Sequence, residues 1–226
     1  SFLRESKDKV GVDFLKACLE FLDANIVVKG EENLPKEGLY TFVSNHPLGG
    51  QDGVALGYVL GSFYGGKVKY MVNDLLMNLH GLAPLCIPIN KTKAGQRLPQ
   101  NGGGGICFGQ SAHHVSRRLC SRRQNGVIRD LDWKKTFIVR VSKPRDVVPI
   151  HFEGRNSNFF YNLANFCKML GIKFNIAMLY LADEMLKNRH KTFTITHREA
   201  YPLANFRQIE SPAGWAQYVK DIVYKL

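Results

Sequence analysis

Val43-Ser44-Asn45-His46-Pro47-Leu48-Gly49-Gly50-Gln51-Asp52-Gly53 decides the reading of this chain. Before it, Leu39-Tyr40-Thr41-Phe42-Val43 alternates and is rich in β-formers, which predicts a buried strand. After it, Gly53-Val54-Ala55-Leu56-Gly57-Tyr58-Val59-Leu60 predicts the opening of a helix. His46 and Asp52 therefore flank a strand-to-helix turn. On one continuous helix, at about 3.6 residues per turn, their side chains would leave on different faces. The Gly49-Gly50 pair frees the backbone to fold back and bring carboxylate to imidazole, and Pro47 suits the start of a turn. A histidine held by an aspartate can act as a general base. The carboxylate fixes the tautomer and the far ring nitrogen takes the proton. The same residues also describe a turn histidine beside an Asp helix cap, and spacing alone does not separate the two.

With 226 residues, 45% of them hydrophobic, the chain can build one α/β domain around its own core. Cys18, Cys86, Cys107, Cys120 and Cys167 are odd in number and form no Cys-x-x-Cys pair. That argues against a disulfide framework or zinc site and suits a reducing cytosol. No apolar run approaches the roughly 18 residues that span a bilayer, and no signal peptide is visible. The chain begins at Ser1, so a preceding piece is expected to be missing. A net charge of +12 points to an anionic partner: acidic lipid, acyl carrier protein, coenzyme A or nucleic acid. No helix-turn-helix or aromatic RNA-binding motif accompanies the charge, so nucleic acid has the least support.

Residues 1–24 read as an N-terminal amphipathic helix, with Val10, Phe14, Leu15, Cys18, Leu19 and Leu22 at helical spacing. Its apolar stripe serves either packing on its own domain or docking on a membrane. The α/β domain then occupies 25–226. Strands are predicted at 25–30, 68–72, 85–91 and 191–196, with a buried strand that opens into a polar turn over 146–157, and helices at 158–170, 176–187 and 212–226. A short helix capped by Asp74 should run to His80, which reads as structural. Segment 132–141 reads as helix or strand. Within Val147-Val148-Pro149-Ile150-His151-Phe152-Glu153-Gly154-Arg155, His151 alternates with apolar neighbours and reads as an interior or edge residue. Glu153 and Arg155 lie in the following turn, lining a site or pairing with each other. Phe159-Phe160-Tyr161 suits an acyl chain or simple packing.

Asn45-His46-Pro47 followed by Asp52 resembles the first motif of the glycerophospholipid acyltransferase superfamily, usually His-x4-Asp. Here five residues intervene, as in a bacterial branch with the form His-Pro-Leu-Gly-Gly-x-Asp, similar to lysophosphatidate acyltransferases and to O-acyltransferases of ornithine and glycine lipids. The resemblance covers nearly the whole chain. It implies a glycerol-3-phosphate acyltransferase-like fold: one α/β domain whose central twisted, mixed or mostly parallel sheet is flanked by helices. It implies His46 as base, Asp52 as its orienter and Asn45 beside them. Asn90-Lys91 sits where the superfamily has Asp-Arg, so Lys91 would offer a point charge to the acceptor's head group, with Ser121, Arg122, Glu153 and Arg155 completing the site. A solvated strand end is the other reading of Asn90-Lys91.

Two stretches break the pattern. Residues 100–118 carry neither hydrophobic period, and Gly102 to Gly105 lack the Lys-Ser/Thr of a phosphate loop. The superfamily's Phe-Pro-x-Gly block should stand just before Leu119, where the chain has Val115-Ser116-Arg117-Arg118. Reading each codon's last two bases with the next codon's first allows 113–118 to become Ile-Met-Phe-Pro-Ala-Gly. The opposite shift allows His197 and its successors to begin Ile-Gly-Lys-Pro. Segments 100–118 and 197–210 thus read as frame-shifted, and Arg117 and Arg118 would belong to the first of them.

The resemblance implies transfer of a fatty acyl group from acyl-ACP or acyl-CoA to a hydroxyl of a lysolipid, a lysophosphatidate or lyso-aminolipid. No cofactor and no metal are expected, because the base is organic and the thioester already activated. The expected partners are the thioester, the lysolipid and a membrane surface, with the protein cytoplasmic and peripheral on the inner face of the membrane. The alternative is a catalytically impaired lipid- or membrane-binding relic. A metal hydrolase using His46, Asp52 and His151 would need a ligand set that the spacing does not announce.

Overall fold

The structure, a computed structural model, describes residues 2–72, 79–88, 105–108, 120–133, 146–172, 176–202 and 211–225. In chain order its elements are α1 (Phe2–Glu5), α2 (Gly11–Phe21), β1 (Asn25–Lys29), β2 (Tyr40–Ser44), α3 (Gln51–Phe63), β3 (Lys69–Val72), β4 (Cys86–Pro88), β5 (Gly105–Phe108), β6 (Arg122–Gln124), β7 (Val127–Arg129), β8 (Asp146–Glu153), α4 (Asn158–Met169), α5 (Leu181–Lys187), β9 (Thr192–His197) and α6 (Pro212–Val223). Seven strands form one sheet in the order β1-β9-β8-β2-β5-β3-β4. Every neighbouring pair is parallel except β8 with β9, which is antiparallel.

Both faces of this sheet are covered, as a parallel sheet requires. Along β2 the side chains alternate. Phe42 packs with Leu15 and Leu19 of α2 and Leu56 and Leu60 of α3, while Val43 joins Trp133 and Ala216, Val219 and Val223 of α6. β8 does the same, Val148, Ile150 and Phe152 facing the α2–α3 side and Val147 facing α6. A third cluster joins Cys120 to Phe160 and Tyr161 of α4. β2 therefore sits at the centre, and its C-terminal end opens at Ser44 between β8 and β5. In open parallel sheets that end is where ligands bind.

Some elements differ from expectation. The N-terminal helix is broken between Glu5 and Gly11, where Gly11 takes φ 60°. The apolar stripe of α2 faces the domain itself: a Cβ on Gly81 would lie 2.3 Å from Phe14, and one on Gly61 2.8 Å from Val12. α3 begins at Gln51 and not Gly53, which puts Asp52 in its first turn. His80 opens a 3-10 segment, His80–Leu85, where a helix end was expected. The helix expected at 176–187 is a 3-10 turn, Ile176–Tyr180, followed by α5. Within the stretch that carries neither hydrophobic period, Gly105–Phe108 forms the interior strand β5, between β2 and β3. The β6–β7 hairpin was not anticipated, although its Asn125-Gly126 turn, both residues at positive φ, is a known hairpin signal.

Candidate active site

Immediately after β2 the chain makes three tight fastenings. The Asn45 side chain donates to Phe152 O at 2.9 Å and accepts from Phe152 N at 2.7 Å, prolonging the β2–β8 pairing with an amide in place of backbone. Asn156 reaches back from beyond β8 and donates to Pro47 O at 3.3 Å. Gly49 lies at φ 84°, which a side chain would strain, and a Cβ there would press on Leu181 and Cys120. Gly50, at φ −168°, does not take the left-handed conformation of Gly49.

This folding-back puts the Asp52 Oδ2 3.0 Å from His46 Nδ1. Asp52 is fully buried, and its other contacts are backbone amides: Leu48 N at 2.9 Å, Gly49 N at 3.3 Å and Gly53 N at 2.9 Å. The His46 side chain keeps 20% exposure, while its Nδ1 has none. Burial by itself would lower the His46 pKa. The Asp52 charge and hydrogen bond, helped by the Asp130 charge, outweigh it and hold the imidazole above its usual 6.5. Burial would likewise raise Asp52, but the imidazole and the amides keep that carboxyl below its ordinary 3.8. The pair is thus a buried, charged carboxylate held on one ring nitrogen of a partly exposed histidine. Such an arrangement can deprotonate a hydroxyl.

Asp130, which sequence reasoning missed, completes the surroundings. Its carboxylate is buried and accepts from His46 N at 3.1 Å, Ser121 Oγ at 2.5 Å and Trp133 Nε1 at 3.0 Å. Ser121 N in turn donates to His46 O at 2.9 Å. Burial pushes the neighbouring Cys120 thiol up to about 11, so it stays protonated and is no competing nucleophile. Gln51, buried beside Asp52, is a further polar residue the sequence did not single out.

The remaining expected site residues fall as follows. Asn90 and Lys91 lie outside the described residues. Arg122 is buried, with its Nη1 on Cys120 O and Sγ and its guanidinium over the Phe160 ring. Glu153 is exposed at the end of β8. Arg155 donates to Asn158 Oδ1 at 2.7 Å, and Arg123, from β6, donates to the same oxygen at 2.5 Å. Thus two guanidinium groups converge on one neutral acceptor a few residues from the segments that clasp His46. His151 has Nδ1 2.9 Å from Val223 O, turned to the α6 side of the sheet. Among the described residues no group of three His, Cys, Asp or Glu is placed to hold a metal ion, and no helix is long and apolar enough to cross a membrane.

The His–Asp pair thus stands at the end of the central strand of a doubly covered, mostly parallel sheet, the place where such sheets bind ligands and where a general base can act. The chain belongs to the acyltransferase family, whose profile matches residues 2–226. It is 70% identical over 227 residues to a lyso-glycine lipid O-acyltransferase of Bacteroides thetaiotaomicron, covering 100% of this chain and 84% of that protein. The lyso-glycine lipid O-acyltransferase of Phocaeicola vulgatus is 66% identical, with 100% and 81% covered. The fold resembles the crystal structure of the 1-acyl-sn-glycerophosphate (LPA) acyltransferase PlsC from Thermotoga maritima, with a TM-score of 0.55 and 17% identity over 94% of this chain and 77% of that one.

Proposed function

We propose that this acyltransferase moves a fatty acyl group from an acyl-ACP or acyl-CoA thioester to the hydroxyl of a lysolipid, a lyso-glycine lipid before a lysophosphatidate. The observation that carries the reading is the 3.0 Å contact of Asp52 with His46 Nδ1, which fixes the tautomer in which Nε2 is the base. Asp52 holds Nδ1–H, and Nε2 takes the proton of the acceptor hydroxyl. The oxygen attacks the thioester carbonyl, and the tetrahedral adduct collapses to the ester. The thiolate leaves and recovers the proton from the imidazolium. The thioester supplies the activation, so the reading needs neither cofactor nor metal.

Arg123 and Arg155 would hold the anionic head, and the apolar face of α4 would carry the chain. Phe159, Phe166 and Leu170 are more than half exposed and share a helical stripe, and Phe159 meets Tyr180 edge-on at 5.4 Å. Such a face, with cations alongside and a net charge of +12, also supports work at the cytoplasmic surface of a membrane. The test is release of free thiol from an acyl thioester in the presence of lysolipid. His46→Ala should abolish it, and unchanged release would remove His46 from the mechanism.

A second reading, a catalytically impaired lipid-binding relic, draws on His197. This residue lies in one of the two segments read as frame-shifted. It is 2% exposed, and among the described residues neither ring nitrogen has a hydrogen-bond partner. An imidazole buried this way is a misfit that an aliphatic residue would not be. Vesicle pelleting without thiol release would favour the relic.

A further inference from the structure

His46 is held from two sides, and only one of them is its ring. Its N–H donates to Asp130, its C=O accepts from Ser121 N, and the Ser121 hydroxyl donates to Asp130. The bonds close a ring that joins the end of β2 to the segment before β6 and the loop after β7. Trp133 Nε1 gives Asp130 a further donor, and Tyr224 at the end of α6 accepts from Asp130 N at 2.8 Å. A carboxylate with two oxygens suits this place. An amide would turn an NH2 toward one of the N–H donors that now meet an acceptor.

We propose that Asp130 is a positioning residue for the acyl-transfer reaction: through the main-chain amide of His46 it fixes where the imidazole stands relative to the acceptor hydroxyl. Asp52 sets the ring's tautomer and orientation, and Asp130 sets the position of the backbone from which the ring projects. Ser121 is then an anchor of Asp130 and not a ligand of the acceptor head. This inference rests on the His46 general-base reading.

Asp130 also leaves an electrostatic mark, because its negative charge adds to that of Asp52 in favouring protonated His46. Among the described residues, the charged groups that act on the imidazole include Asp52 from α3 and Asp130 from the loop after β7. Behind Asp130 lies Tyr224, with Arg129 over its ring at 4.7 Å and His151 edge-on at 5.7 Å.

The experiment compares wild type, Asp130→Asn and Ser121→Ala in steady-state thiol release across pH. For Asp130→Asn a kcat lower by about 10- to 100-fold is expected, with KM for the lysolipid within about two-fold. The acid limb of kcat/KM should move to lower pH, since a charge favouring the imidazolium has gone. Ser121→Ala keeps the charge and loses one anchor. It should lower kcat by about 3- to 10-fold with the acid limb in place, and it serves if Asp130→Asn does not fold. A fall in kcat with an unmoved limb in Asp130→Asn would reduce Asp130 to scaffolding and overturn the proposal. So would unchanged kcat in both variants, or a loss in Ser121→Ala that appears only in KM. If wild type itself releases no thiol while His46→Ala behaves identically, the general-base reading fails first. Titration of the His46 ring by NMR would then still show whether Asp130 acts on it.

Discussion

Asn45 and Phe152 are joined by two hydrogen bonds, at 2.9 and 2.7 Å, that link the chain just after β2 to the end of β8. The amide of one side chain thereby does what the next peptide of β2 would have done, and it frees the main chain to turn toward His46. Replacing Asn45 with Ala leaves Phe152 N and O unpaired in a buried place. Asn45→Ala should cost about 2–3 kcal/mol in denaturant unfolding. It should also lower kcat, because the turn that carries His46 loses its base. An unchanged unfolding midpoint would show that water satisfies Phe152 and that the link is dispensable.

The acid limb of activity should lie above the usual histidine value. His46 must be neutral to accept a proton, and its pKa is raised, so kcat/KM should climb with pH through a midpoint above 6.5. Asp52→Asn removes the strongest influence favouring the imidazolium and leaves burial, which acts the other way. The midpoint should then fall, and kcat should drop about 10²- to 10⁴-fold because the tautomer is no longer held. A midpoint that stays put in Asp52→Asn would separate the limb from His46.

Gly57 is required by contact and not by conformation. A Cβ at this position would stand 1.2 Å from the Tyr70 hydroxyl, which donates to Gly53 O at 2.7 Å in the first turn of α3. Gly57→Ala must push Tyr70 out of the core or lift α3 from the sheet, at a cost of about 3 kcal/mol. The change should lower the melting temperature by several degrees, and combining it with Tyr70→Leu should restore part of the loss. Equal stability of Gly57→Ala and wild type would contradict this packing.

His197 offers a gain. It stands opposite Ile150 in the β8–β9 pairing, and burial drives its pKa down from 6.5 to about 4. The unfolded chain takes up this proton below about pH 6.5 and the folded one only near 4, so stability drains away as pH falls through that window. The loss amounts to roughly 3 kcal/mol at its end. His197→Ile should raise stability at pH 7 by about 1–3 kcal/mol and flatten the decline between pH 6.5 and 4. A lower melting temperature for His197→Ile would mean that the imidazole is at home there. The gene offers an independent check, because codons incompatible with the shifted readings of 100–118 and 197–210 would end the frame-shift reading.

Many of the strands and helices were legible along the chain because period and punctuation are local. The β-forming run at Tyr40–Ser44, the apolar run within Asp146–Glu153 and the Pro212 start of α6 all act within one strand or turn. The meeting of His46 and Asp52 was legible for the same reason, being six positions apart across a glycine-bearing turn. Gly105–Phe108 was not, because its place between β2 and β3 comes from strand pairing that its own residues do not announce. Asp130 was beyond reach altogether. It lies 84 positions from His46, in a stretch with no motif, and only the folding of the β6–β7 hairpin against the end of β2 makes its carboxylate the partner of that amide. Local chemistry selects the base and its orienter. Which distant groups hold them in place follows from the burial of polar atoms that must all find partners, and the assembled sheet alone decides those pairings.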